Sequence, residues 1–186
     1  MKSNHIQRSI RVVVLIVAVG LFFPGSLFSK TAREIDVAVD VAIERFHKQV
    51  VGAKRLIEIS KGMLVMPNVI KGALIIGGEY GEGALRINGE TVDYYNTISG
   101  SLGFQIGGQA KDIILLFMTD EALSQFRASS GWEAGIDGNV ALITIGAGER
   151  ADTTTAKEPI LAFIFDAKGL IADLSLKGAK FTRLNK

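Results

Sequence analysis

The chain has 186 residues, with 21 Lys+Arg against 19 Asp+Glu and a formal net charge of +2. Lys2, Arg8 and Arg11 are the only charged residues in the first 29 positions, and without that stretch 18 basic residues face 19 acidic ones, a net of −1. This excludes a function that rests on a global positive field, such as non-specific nucleic-acid binding. Zero Cys excludes disulfides, thiolate metal sites, a cysteine nucleophile and a lipid anchor attached through cysteine.

The basic segment Met1–Arg11 precedes an apolar run, Val12–Phe23, which Pro24-Gly25 stops. Twelve helical residues span about 18 Å, short of the roughly 30 Å hydrocarbon core. The pattern predicts a secretory signal peptide over residues 1–29, removed near Ser29, with an uncleaved N-terminal anchor as the alternative. The expected location is therefore outside the cytoplasm, in the periplasm or envelope of a bacterium. Residues 30–186, about 157 in number, then form one domain.

From Thr31 to Gly62 apolar residues Ile35, Val39, Ala42, Phe46, Val50, Ala53 and Ile57 recur at steps of four and three. That spacing predicts one long amphipathic helix. Thr31 and Glu34 form a capping box at its start, and Gly62 ends it. Arg33, Asp36, Asp40, Glu44, Lys48, Lys54, Arg55 and Glu58 make the polar face.

After Gly62 the runs Met63–Met66 and Val69–Ile76 are too short and too β-branched for helices. Asn88-Gly89 predicts a two-residue type I′ hairpin, with Ile87 opposite Glu90, Arg86 opposite Thr91 and Leu85 opposite Val92. Strands are expected over Ile98–Ala110, Ile113–Met118 and Asn139–Ile145, with a short helix from Thr119 to about Arg127. Glu149–Glu158 carries no large apolar residue and reads as a mobile surface loop. Ile160–Phe165 and Leu170–Leu176 form a closing hairpin over Asp166–Gly169. Adjacent short strands joined by tight turns predict an α+β fold: the long helix on a curved, mostly antiparallel, barrel-like sheet rich in glycine.

Candidate chemistry is sparse. Gly77–Gly83 matches neither dinucleotide nor phosphate-loop fingerprints, since no Lys-Ser/Thr follows and strands flank it on both sides. It reads as a crossing between strands. His47 has no second histidine nearby, so it reads as a surface residue, and Ser99 and Ser101 lack the glycine spacing of a nucleophile elbow. Glu79, Glu82 and Asp93 are candidate oxygen ligands for a hard cation near the hairpin. Trp132 reads as a packing anchor or as an interfacial aromatic at a headgroup layer. No catalytic centre, metal or cofactor is expected.

Several ordered blocks resemble the SYLF domain family. They are Lys61–Lys71, Gly77–Gly83, Tyr94–Ser101 with Gln105-Ile106-Gly107, Trp132–Asp137, Gly146-Ala147-Gly148 and Lys168-Gly169-Leu170. The resemblance runs from about Phe46 to Leu184 and is closest to the small exported bacterial type. Three features differ from the family's usual pattern. There is no lipoprotein cysteine, Lys71-Gly72-Ala73-Leu74 replaces the common Lys-Ala-Gly-Phe, and Asp173 and Lys177 stand where Gly and an acid are common.

The resemblance implies lipid binding, with phosphoinositide and actin binding among eukaryotic relatives. The resulting expectation is a non-catalytic phospholipid-binding domain whose partner is a membrane with anionic headgroups. Lys48, Lys54, Arg55, Lys61 and Lys71 would face those headgroups, with Trp132 as the interfacial aromatic. The alternative is a structural or protein-interaction module of the envelope, adding a partner strand at a sheet edge.

Overall fold

A computed structural model describes residues 29–71, 78–100, 110–143, 158–166, 169–170, 176 and 178–186. The leader, Ser101, residues 102–109, the Gly146-Ala147-Gly148 block, residues 149–157 of the expected loop and residues 171–175 of the closing hairpin lie outside them.

Thr31 starts the first helix, α1 (Ala32–Gln49), through the capping box the sequence predicts. Its hydroxyl accepts from the Glu34 amide at 3.3 Å, and Glu34 in return accepts from the Thr31 amide at 2.7 Å. The expected single helix is broken, however. Gly52 sits in the left-handed region at φ 92° and opens a second helix, α2 (Ala53–Ile59). The break shifts the helical phase, so Leu56 is buried where unbroken periodicity points to Ile57. Gly62 is not a helix terminator: it opens the first strand.

The strands are β1 (Gly62–Lys71), β2 (Gly78–Ile87), β3 (Glu90–Gly100) and β4 (Ala110–Phe117). A third helix, α3 (Asp120–Ala128), follows, capped by the Thr119 hydroxyl. Then come β5 (Trp132–Glu133), β6 (Ala141–Leu142), β7 (Ile160–Asp166), β8 (Gly169–Leu170) and β9 (Lys180–Leu184). They form one curled half-barrel sheet in the order β5-β9-β3-β2-β1-β4-β7-β6, with β8 pairing β7. All pairings are antiparallel except β6 with β7.

Two expectations about register are corrected. Met63–Ile70 is one strand rather than two runs, because the chain bulges at Pro67-Asn68 and resumes pairing at Val69. Asn68 takes φ 53° there, and its amide donates to Asp112 Oδ1 at 2.9 Å. The Asn88-Gly89 turn has the expected positive φ at both positions, 52° and 85°. Beyond Arg86↔Thr91 a bulge shifts the ladder, so Leu85 faces Asp93 and not Val92.

Both faces of the sheet are buried. On one, Ile35, Val39, Ala42 and Phe46 of α1 pack on Met63, Val65, Ile114, Leu116, Phe163 and Phe165. On the other, α3, β5 and β9 bring Phe126, Trp132 and Phe181 against Leu64, Leu85, Tyr95 and Phe117. Each such large side chain contributes about 1.5–3 kcal/mol when withdrawn from water. β4 serves both cores, as its unbroken apolar run predicts. Among the described residues no helix is long and apolar enough to cross a membrane.

Candidate membrane-facing site

The turn between α1 and α2 collects exposed cations. Lys48, Lys54 and Arg55 are solvent-exposed around it, and Val51, at its tip, is 47% exposed. The outward face of α1 adds Val37 and Val41, both exposed, one helical turn apart. Sequence reading passed over these three valines, although Val37 and Val41 already stood among the polar-face residues at a spacing of four.

Some acids of the same helices are turned toward the sheet and others stay at the surface. Glu34 closes the capping box, and its hydrogen bonds from Thr31 hold its pKa below the usual carboxylate value. Asp36 accepts from Thr91 Oγ1 at 2.7 Å and from Tyr94 Oη at 2.8 Å. Burial and the Asp36 carboxylate together raise the Tyr94 pKa. Asp40 holds Arg86 at 2.8 Å, and Glu58 lies 3.7 Å from Arg55. Arg33, Lys48 and Lys54 form no ion pair among the described residues, and Glu44 is the one acid of this face in the same position. Asp36 and Asp40 thus bind toward the sheet, whereas Glu44 and Glu58 stay exposed with the cations near the turn.

The expected cluster is not brought together whole. Lys61 pairs with Asp120 at 3.5 Å, beside the start of β1. Lys71 stands at the far end of that strand, opposite Glu79 and about 30 Å from Gly62 at about 3.3 Å per residue. Trp132 lies in the core at 2% exposure, with ring contacts to Phe126 and Phe181 at 5.5 and 6.0 Å. Gly138 lies so close that an added Cβ would come within 2.8 Å of the indole. The packing-anchor reading therefore describes where Trp132 sits.

The carboxylates Glu79, Glu82 and Asp93 do not converge. Glu79 ion-pairs Lys111 at 2.7 Å and accepts from Ser99 Oγ at 3.0 Å. Glu82 accepts from Tyr80 Oη at 2.7 Å, and burial with that bond pushes the phenol up to about 12. Asp93 is held by Arg127 at 3.2 Å and Arg183 at 3.5 Å. Among the described residues no three metal-ligating side chains gather. His47 is exposed on α1, and Gly78–Gly83 is plain strand within β2.

A second surface is apolar. The cross-strand row Ala110–Ile70–Tyr80–Ile98–Lys180 lies on the face α1 covers, just beyond the helix's N-terminus. Ile70 and Ile98 are 46% and 44% exposed there.

The described residues form an α+β domain, a helix-covered, curled antiparallel half-barrel with exposed cations at the turn between α1 and α2. Residues 98–186 match the model of the Ysc84 family, described as Las17-binding protein actin regulator. The match begins inside β3 and runs through β9. That match, over the second half of the chain, is consistent with the SYLF-like blocks of the sequence. No curated protein matches it.

Proposed function

We propose that this is a non-catalytic phospholipid-binding module of an exported cell-envelope protein, which contacts membranes through the α1–α2 turn. The observation that carries the reading is a local cluster of exposed cations: Lys48, Lys54 and Arg55 surround exposed Val51, against the two nearby exposed acids Glu44 and Glu58. Each cation near an anionic surface contributes about 1 kcal/mol, and the attraction decays over about 10 Å in 0.1 M salt. An exposed valine at the centre of such a ring adds apolar contact at the headgroup boundary. Co-sedimentation with phosphatidylglycerol vesicles tests the proposal. Binding that weakens as salt rises is expected, and protein left in the supernatant at low salt would sink it.

The apolar row through Ile70, Tyr80 and Ile98 favours a second reading, an envelope protein-interaction module. The family description, with its named protein partner, is compatible with it. Such docking should resist salt and produce a stable crosslinked partner. Indifference of that partner to Ile98→Asp would count against it.

A further inference from the structure

The region of Lys54, Arg55 and Lys61 also contains a cleft of about 240 Å³. Ile57, Glu58 and Ser60 line it from α2, Gly62 and Met63 from β1, and Arg86, Asn88 and Gly89 from the β2–β3 hairpin. It is smaller than the roughly 300–1,000 Å³ of drug-sized ligand pockets, so it suits a headgroup-sized molecule rather than a whole lipid.

The charges around it are mixed, three cations against four acids. Glu58 stands on the wall with Arg55 beside it at 3.7 Å. Arg86 is offset by Asp40 at 2.8 Å and by Asp36 at 3.7 Å, and Lys61 by Asp120 at 3.5 Å. A lone anion therefore meets no excess of positive charge here.

The hydrogen-bonding groups are also of two kinds. Ser60 Oγ spends its hydrogen on the Ile57 carbonyl at 2.8 Å, which leaves its lone pairs to accept. Glu58 is an acceptor as well. On the hairpin side Asn88 carries a side-chain amide donor. Arg86 Nε is buried without a hydrogen-bond partner among the described residues, a donor left unspent.

We infer that this cleft seats a small zwitterion that carries an ammonium and a phosphate, the chemistry of phosphoethanolamine. The ammonium meets Glu58 and Ser60, the phosphate meets the Asn88 amide on the hairpin side, and Ile57 and Met63 back the two carbons between them. The inference rests on the phospholipid reading for the source of the ligand, since a free zwitterion offers the same groups. It reverses the simplest expectation from the cations, which is a preference for purely anionic headgroups.

The test titrates the full chain with glycerophosphoethanolamine, glycerophosphoglycerol and inorganic phosphate while following backbone amide shifts. Glycerophosphoethanolamine should perturb Ser60, Asn88 and Gly89 and bind about tenfold more tightly than glycerophosphoglycerol. Glu58→Gln, at an exposed position, should leave the fold intact and abolish that preference. Equal affinities, shifts elsewhere, or an unchanged Glu58→Gln variant would overturn the inference. Vesicles of phosphatidylglycerol, with and without half phosphatidylethanolamine, separate the two claims. Binding that ignores phosphatidylethanolamine keeps the membrane reading and removes the cleft. Headgroup binding in the cleft without any vesicle binding keeps the cleft and removes the membrane. Silence in both assays removes both.

Discussion

Glu82 and Lys186 are 104 residues apart in sequence and 3.3 Å apart in space. The Glu82 side chain is 2% exposed and also accepts the Lys30 amide at 3.0 Å, while the Lys186 ammonium reaches Ser29 Oγ at 2.6 Å and the Lys30 carbonyl. The pair therefore ties the start of α1 to the residues after β9 across the middle of the sheet. Lys186→Met would leave a buried carboxylate with only Tyr80 and one amide as donors, at a cost of about 2–3 kcal/mol in urea unfolding. Adding Glu82→Gln should recover more than half of that loss, because the uncompensated charge disappears. A Lys186→Met protein as stable as the parent would show that the pair holds nothing.

Asp112 is the second brace. It is 1% exposed, pairs with Arg45 of α1 at 3.1 Å and accepts the Asn68 amide in the β1 bulge. Burial raises its pKa above the ordinary 3.8, with the Asn68 amide and Arg45 opposing the rise. The folded state thus holds the proton more tightly than the unfolded chain. The stabilisation linked to this proton is complete below pH 3.8 and is lost as pH climbs through the raised folded value. Urea midpoints from about pH 3.5 to 7 should accordingly fall less steeply with rising pH in Asp112→Asn than in the parent, whatever other groups contribute. Parallel curves would remove Asp112 as the cause. Asp112→Ala should cost about 2 kcal/mol at neutral pH, since the Asn68 amide loses its acceptor among the described residues.

Legibility in the sequence followed the range of the interaction. The Thr31–Glu34 box, the Asn88-Gly89 turn and the short helix after Thr119 are decided within a few residues, and each appears as expected. The helix break at Gly52 and the bulges at Asn68 and Val92 are decided by packing across the sheet. Periodicity carried past all three, for that reason. At the site, residue types indicated cations but not their partners. Asp120 beside Lys61, and the length of β1 between Lys61 and Lys71, are tertiary facts. The cleft escaped notice because Ser60, Arg86 and Asn88 come from three elements, and none signals a ligand alone.

The glycines of β2 allow a stringent check of the packing. A Cβ at Gly83 would lie 1.9 Å from the Val65 carbonyl oxygen and 2.7 Å from Met66 Sδ, so β1 backbone would have to move. Gly83→Ala should cost about 3 kcal/mol or more in chemical unfolding. Gly100→Ala, with nothing within 4 Å and no positive φ, should stay within about 0.5 kcal/mol of the parent. Equal effects at the two positions would mean that β1 and β2 do not approach as described.

The cationic surface makes a prediction that depends on its division. Lys48, Lys54 and Arg55 share the α1–α2 turn, whereas Lys71 is separated from that end by the length of β1. At about 1 kcal/mol per cation, Lys48→Ala or Lys54→Ala should weaken partitioning onto phosphatidylglycerol vesicles about fivefold, and the pair about thirtyfold. Val51→Asp should weaken it further by removing apolar contact and adding repulsion. Lys71→Ala should leave partitioning unchanged, and that variant discriminates best. If it falls with the others, the contact surface includes the Lys71 end of β1 and is not confined to the helical turn. If all four variants bind alike, the lipid contact lies elsewhere on the half-barrel, and the exposed cations are only a solvated face.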